Sequence, residues 1–355
     1  MKKQQRHEFV LKALEEDGAD RVVSTRELAE GLGVSEMTIR RDLHELAQKD
    51  LILRQHGGAT LPHHRATAPG QRGQIGILMT SGKDKYLDPF FNEVLQGADR
   101  KIQELGYRTA YVFSYADVHT REQARDLLHH YAADGILLLG SQTSESIEYL
   151  KENAKVVVAT LNSLGPDHDA ILIDGCTGIR IVIDHLVKLG RRRPGFITGF
   201  YDSREQGFIE GTQGNNLDDS LGLRVTLDEG GFGPWTPQLG QRGAAILMNQ
   251  KKRPDAIVCA SDRIAIGAMQ WLHQNGFRVP EDVAVTGFDN ISDSEFTIPP
   301  LTTVHVHKKW LGALAAERAI RRIENPNEIP LQIWMPTSLV IRQSCGAALQ
   351  PVTNQ

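Results

Sequence analysis

Two adjacent arginines, Arg40 and Arg41, stand in the stretch SEMTIRRDLHELAQKDLILRQHGGA, residues 35–59. A guanidinium is a planar fork that can neutralise a phosphate or pair with O6 and N7 of guanine. Ser35 occupies the capping position of a helix that would begin at Glu36, and Thr38 follows within its first turn. At the positive end of a helix such hydroxyls can hold a phosphate or reach a base edge. Ile39, Leu43 and Leu46 fall on one face at helical spacing, leaving Thr38, Arg40, Arg41 and His44 largely outside. Arg54, His56 and the Gly57-Gly58 turn come after an apolar run and would form a wing beside an adjacent groove. A lone Arg-Arg pair is more often a solvated helix face. The other reading of such a face is a DNA groove, and here the capping serine, the basic pair, the apolar spacing and the Gly-Gly turn occur in register.

The elements that must position these groups are legible around them. Phe9, Val10, Ala13 and Leu14 give an amphipathic helix over residues 6–16, which Gly18 ends. Ser24 or Thr25 caps a second helix, TRELAEGLG, closed by Gly33. With the third helix and a short hairpin, residues 1–60 read as a winged helix-turn-helix. Residues 61–73 carry Pro, Gly, Arg and His without apolar periodicity and read as a linker.

From residue 74 the pattern changes to short apolar runs alternating with helices that stop at glycine, such as QIGILM, then FFNEVLQGADRKIQELG, then YRTAYVFS. This is the pattern of parallel α/β layers. The runs are too many for one compact half. The expected fold class is therefore α/β: an N-terminal winged helix-turn-helix followed by two α/β subdomains of parallel sheet flanked by helices. Open parallel sheets bind ligands beyond their strand C-termini, so a cleft between the halves is the expected site. The effector domain is placed at 74–345, with subdomain 1 at about 74–161 and 303–330. Subdomain 2 is placed at about 162–290 and 335–345, followed by a tail at 346–355.

Composition narrows the function classes. A net charge of -4 over 355 residues gives no bulk basic signature. Residues 1–65 balance 11 Lys+Arg against 11 Asp+Glu, so a nucleic-acid surface must be a local patch. The N-terminus has no uninterrupted apolar core of a secretory signal, and no run approaches the roughly 18 apolar residues that span a membrane. Cys176, Cys259 and Cys345 lie far apart without metal-ligand spacing, which suits a reducing compartment. A cytoplasmic protein is expected. No phosphate-binding loop, nucleophile elbow or nucleophile–base pair is readable, so neither an enzyme nor a cofactor is expected. His305 and His307 read as alternating on a strand, but two histidines without a third ligand make no metal site. The adjacent pairs His63-His64 and His129-His130 read as surface.

The head, through STRELAEGLGVSEMTIRRDLHEL and LRQHGGA, resembles the DNA-binding domain of the DeoR family of bacterial transcription regulators. It departs in a longer connection, EEDGADRVVS, between the first two helices. The remainder resembles the effector domain of LacI/GalR-type repressors, which have the periplasmic sugar-binding-protein fold. The matching pieces are DPFFNEVLQGA, DGILLLG, HLVKLGRRRPGFITG, SREQGF, PDAIVCASDRIAIGAM, VPEDVAVTGFDN and IPPLTTV, in that order. The resemblance implies a repressor that binds double-stranded operator DNA as a homodimer, without a membrane, and responds to a sugar or sugar derivative. It carries over to Asp289 as hydroxyl acceptor, Arg204 as donor and Phe232 as the ring against the ligand's apolar face. Ser261, Asp262, Asn162, Asp88, Phe90 and Phe91 are candidates for the cleft edge. After PPLTTV this chain has HVHKKW, which alters one cleft wall. The competing readings are a nucleobase or sugar-phosphate effector, a sugar-binding transport component, and an α/β enzyme with a regulatory head.

Overall fold

The computed structural model describes residues 3–16, 22–48, 52–55, 58–60, 72–80, 88–140, 144–217, 223–227 and 235–347. The head comprises α1 (Lys3–Glu16), β1 (Val23–Ser24), α2 (Thr25–Leu32), α3 (Glu36–Gln48), β2 (Leu53–Gln55) and β3 (Gly58–Thr60). Ser24 caps α2 by accepting from Glu27 N at 3.1 Å, while the Glu27 carboxylate accepts from Ser24 N at 2.8 Å. Gly33 ends α2 in the left-handed region, at φ 63°, and turns the chain into α3. Val10, Leu14, Leu28, Ile39, Leu43, Leu46 and Ile52 form the core. The strand β1 joins the two strands of the wing in the order β1-β3-β2. Gly58 is required there, because a Cβ would lie 2.2 Å from the Val23 carbonyl oxygen.

Asp42, from the RRD run, faces inward and is 2 % exposed. Arg6 on α1 grips it with two bonds of 2.7 and 3.0 Å, and His7 lies 3.4 Å away. Burial opposes the charge on Asp42, yet the Arg6 bonds and nearby charges hold its carboxyl below the usual range. The pair fixes α1 across α3 and so sets which face of α3 is left outside.

The next part begins with β4 (Gly73–Met79), α4 (Pro89–Glu104), β5 (Tyr107–Ser114), α5 (Arg121–His130), β6 (Gly135–Leu139), α6 (Glu145–Asn153), β7 (Val157–Thr160) and β8 (Asp169–Ile173). There follow α7 (Gly175–Lys188), β9 (Pro194–Thr198), α8 (Ser203–Gly214), β10 (Arg224–Thr226), α9 (Pro237–Met248), β11 (Ala256–Cys259), α10 (Asp262–Gln274), β12 (Ala284–Asp289) and β13 (Thr302–His305). The chain returns through α11 (Lys308–Glu324) and β14 (Gln332–Met335), then crosses again to β15 (Ser338–Val340).

One sheet runs β14-β8-β7-β6-β4-β5, the other β10-β9-β11-β12-β13-β15. All neighbours are parallel except β15, which is antiparallel to β13. This moves two of the expected crossings. The strand β8 pairs with β7 in the first sheet, so the chain leaves that half after Ile173 rather than near residue 162. The strand β13 pairs with β12 in the second sheet, so residues 302–305 belong there and the return comes at α11. Alternation of strands and helices fixes their order but carries no mark of which sheet a strand joins.

The helices α4 and α11 meet backbone to backbone. A Cβ on Gly312 would lie 1.9 Å from Val94 O, and one on Gly97 2.0 Å from Lys309 O. That contact plants the start of α11 beside α4, at the edge where the two halves face each other. Among the described residues, no helix is long and apolar enough to cross a membrane.

Candidate functional site

On the head, the outer face of α3 carries Met37, Arg40, Arg41 and His44, all exposed. Met37, 69 % exposed, was not singled out by sequence, since a lone methionine carries no signal. Ser35 Oγ accepts from Thr38 N at 3.3 Å, and the two hydroxyls are 2.9 Å apart. They hold the start of the helix while keeping bonding capacity toward an outside group. Arg40 lies 3.7 Å from Glu36 in a solvated pair, whereas Arg41 has no protein partner among the described residues. Backbone pairing puts Arg54 on β2 opposite Ala59, and Gly58 starts β3. His56 and Gly57 lie outside the described residues.

In the α/β part, strand C-termini from both sheets converge. Asp88 caps α4, with Oδ1 accepting from Phe90 N at 3.0 Å and Phe91 N at 3.4 Å. Its other oxygen accepts from Arg263 of α10 at 3.1 Å. This ion pair links the first half to the second across the cleft. Arg263 follows the Ser-Asp cap of α10 and was not expected from sequence. Phe90 is buried, and Phe91 packs so closely that a Cβ on Gly140 would lie 2.5 Å from its ring. Asn162 is exposed beyond β7.

Asp289 ends β12, 8 % exposed, with φ 110°, and Asn290 follows at φ 53°. Two consecutive non-glycine residues in the left-handed half of the map cost backbone energy unless something holds them. Lys308 does so. Buried at the start of α11, its Nζ donates to Asp289 O at 2.8 Å and Asn290 O at 2.9 Å, and lies 3.4 Å from Glu93 of α4. Burial pushes the Asp289 carboxyl well above the usual carboxylate range. Arg204 and Lys308 pull it down, while Asp262 and Asp88 push it further up.

Arg204 enters from α8. Its guanidinium pairs with Asp202, donates to Ala260 O at 3.0 Å, and lies 3.8 Å from the Trp235 ring centroid and 5.3 Å from that of Phe288. Among the described residues three of its five N–H groups are committed, leaving two for a ligand. The aromatic over this cation is Trp235. Phe232, the ring expected there, lies outside the described residues.

Three other expectations change. Asp262 is fully buried, with one oxygen accepting from Ile291 N at 2.8 Å and the other bonded to Thr303 Oγ1 at 2.5 Å. It braces the loop after β12 rather than facing the cleft, and burial raises its pKa to about 7 against those bonds. Ser261 is 3 % exposed and spends its hydroxyl on the N–H of Ile264 as the cap of α10. His305 lies on β13 but His307 caps α11, so the two do not alternate on a strand. Their rings still meet edge-on at 4.6 Å, with His305 Nδ1 3.1 Å from the Asn290 amide nitrogen.

A cavity of about 90 Å³ lined by Lys151, Lys155, Asp167, Asp169 and Arg322 lies at the opposite, N-terminal edge of the first sheet. The last turns of α6 and α11 point there and account for Lys151 and Arg322 as helix-end cations.

A family model described as a DeoR-like helix-turn-helix domain matches residues 6–65, and one described as a periplasmic binding protein-like domain matches residues 183–345. The ribose operon repressor of Haemophilus influenzae is 30% identical over 273 residues, covering 76% of this chain and 80% of its own. The chain belongs to the LacI-type transcriptional repressors. The repressor MelR of Bacillus subtilis is 26% identical over 354 residues, 94% of this chain and 100% of its own. The fold is shared with the transcriptional regulator CelR in its cellobiose complex, with a TM-score of 0.70 at 23% identity over 87% of this chain and 90% of that one. This repressor therefore carries a DeoR-like reading head on a LacI-type sensor.

The cross-cleft pair of this repressor is testable. Asp88 and Arg263 are about a quarter exposed, so solvent screens them. Replacing Arg263 by alanine should favour the open form by about 1 kcal/mol, roughly fivefold in the closed-to-open ratio. The variant's ligand-free scattering curve should then show a larger radius of gyration than the parent's in low salt, and the two should converge in high salt. Superimposable curves in low salt would exclude a latch.

Proposed function

We propose that this repressor binds operator DNA through α3 and the wing, as a cytoplasmic homodimer, and that a sugar or sugar derivative held between its two α/β halves controls that binding. The observation that carries the effector assignment is the convergence of Asp289, a buried acceptor, and Arg204, a donor with two N–H groups that no described residue takes up, beside aromatic rings. Hydroxyls of a neutral sugar match that set, because each can donate to the carboxylate and accept from the guanidinium while a ring covers the apolar face. The ribose operon repressor supports the sugar class by its name. The assignments of Ser35, Arg40, Arg41 and His44 to DNA rest on their exposure around a capped helix, that of half-buried Thr38 on its hydroxyl contact with Ser35, and that of the wing on its strand pairing.

The effector acts by binding one arrangement of the halves more tightly than another, and so changes the spacing of two heads in the dimer. No catalytic role is assigned to any residue.

Transcriptional repressors named PurR are also relatives, at 29% identity over 288 residues for that of Pasteurella multocida. Thermal unfolding in the presence of free sugars, sugar phosphates and nucleobases separates the two. A ligand at a hundred times its Kd stabilises by about 2.7 kcal/mol, which a melting curve resolves readily. The expected result is stabilisation by a sugar that also shifts operator affinity. Stabilisation by a nucleobase alone would overturn the sugar assignment.

A further inference from the structure

The rim of the second half carries aromatic surface beyond the groups used so far. The loop between β9 and α8 presents Phe200, 38 % exposed, and Tyr201, 64 % exposed. Phe200 meets Trp235 with ring centroids 5.0 Å apart, and Trp235 in turn covers Arg204. The loop is shaped rather than loose: Thr198 Oγ1 donates to Phe200 O at 2.9 Å, and Tyr201 Oη bonds Gln206 Oε1 at 2.9 Å. Water-exposed rings side by side are costly to keep at a cleft mouth unless something covers them.

Their place along the sheet edge gives the span. In the second sheet β12 neighbours β11, and β11 neighbours β9. Asp289 ends β12, the carbonyl that Arg204 engages follows β11, and Phe200 and Tyr201 follow β9. With neighbouring strands about 4.8 Å apart, the row from Asp289 to the Phe200 loop is roughly 10 Å long, before Tyr201 extends it. A single sugar ring held by Asp289 and Arg204 ends short of Phe200 and Tyr201.

We propose that Phe200 and Tyr201 form a second, outer subsite, and that the effector is a disaccharide or longer glycoside whose outer ring lies on them. This rests on the sugar reading of the cleft. The inner ring takes the hydrogen bonds of Asp289 and Arg204. The outer ring takes stacking, with the Tyr201 hydroxyl and Gln206 amide at its edge, a mode sensitive to ring number more than to stereochemistry.

The test is calorimetry on the intact protein with ribose, glucose and galactose against maltose, cellobiose, melibiose and lactose. At least one disaccharide should bind tenfold or more tightly than either of its component sugars. In the Phe200→Ala, Tyr201→Ala double variant that advantage should fall about tenfold, with the affinity for the component sugar unchanged. Both residues are exposed, so folding survives the exchange. Equal affinity for a disaccharide and its component, or a double variant that binds the disaccharide as the parent does, would overturn the outer subsite while leaving the inner one intact. A double variant altered only in oligomeric mass would overturn it too, assigning the rings to a contact between copies. Binding of none of the seven sugars, with a nucleobase bound instead, would bring down the sugar reading itself.

Discussion

Asp289→Asn is expected to leave operator binding intact, to abolish the effector response, and to make the ligand-free protein more stable at neutral pH. The effector takes the ionised form of the carboxyl, with two acceptor oxygens, and the exchange keeps that shape but turns half of the acceptor into a donor. A ligand hydroxyl that needs two acceptor oxygens then faces an N–H in a site closed to water. Such a mismatch costs about 2 kcal/mol, roughly thirtyfold in affinity. The stability gain follows from the buried carboxyl. Its pKa in the folded protein lies well above its value in the unfolded chain, because burial and the neighbouring Asp262 and Asp88 outweigh Arg204 and Lys308. A group with a raised folded pKa costs nothing while both states are protonated. Stability falls as pH rises from the ordinary carboxylate value, about 4, towards the folded value, since the unfolded chain releases its proton first. Asparagine has no proton to release. The stability difference between variant and parent should therefore grow with pH over that window in denaturant titrations. A difference that stays flat would mean that Asp289 is solvated and lies outside a closed site. Wild-type effector affinity would remove it from the cleft altogether.

That trade also shows where sequence reasoning stopped. The faces of α3 were legible, since Ile39, Leu43 and Leu46 repeat at the period of a buried stripe and all three are buried. The hairpin of the wing, the succession of strands and helices along the chain and the glycine stops were legible for the same reason: each is a local rule. Asp262 was not, because a Ser-Asp pair before a helix fits a ligand-facing turn and an N-terminal cap equally well. Only the fold brings Thr303 and the Ile291 N–H onto its two oxygens. Lys308 sits in HVHKKW, which the sequence reading places at an altered cleft wall without marking which of its groups is buried. Its burial depends on α11 meeting α4 through Gly312 and Gly97, a contact between segments about 215 residues apart. The pair Asp88–Arg263 is invisible for the same reason, being a property of how the halves face each other. The helix α6 over residues 145–153 has no place in the pattern read from sequence.

Arg41→Ala is expected to weaken operator binding roughly tenfold to a hundredfold, with effector affinity unchanged. Arg41 is exposed on the outer face of α3, and no described residue pairs with it, so its five donors face outward. Arg40, its neighbour, shares an exposed contact with Glu36 and must break or share it to reach DNA, so Arg40→Ala should cost less. The head itself should survive either exchange, because the inward-facing groups are Asp42, Ile39 and Leu43, and the Arg6–Asp42 bonds are untouched. Fluorescence anisotropy on an operator at several salt concentrations separates the kinds of contact. If Arg41 neutralises a phosphate, the slope of log affinity against log salt should shrink by about 1, and all sequences should be weakened alike. If it pairs with guanine, the slope should hold while discrimination at one base pair collapses by about 1–3 kcal/mol. Parental affinity at every salt concentration would take Arg41 out of the interface, and would leave the wing and the Ser35 end of the helix to carry recognition.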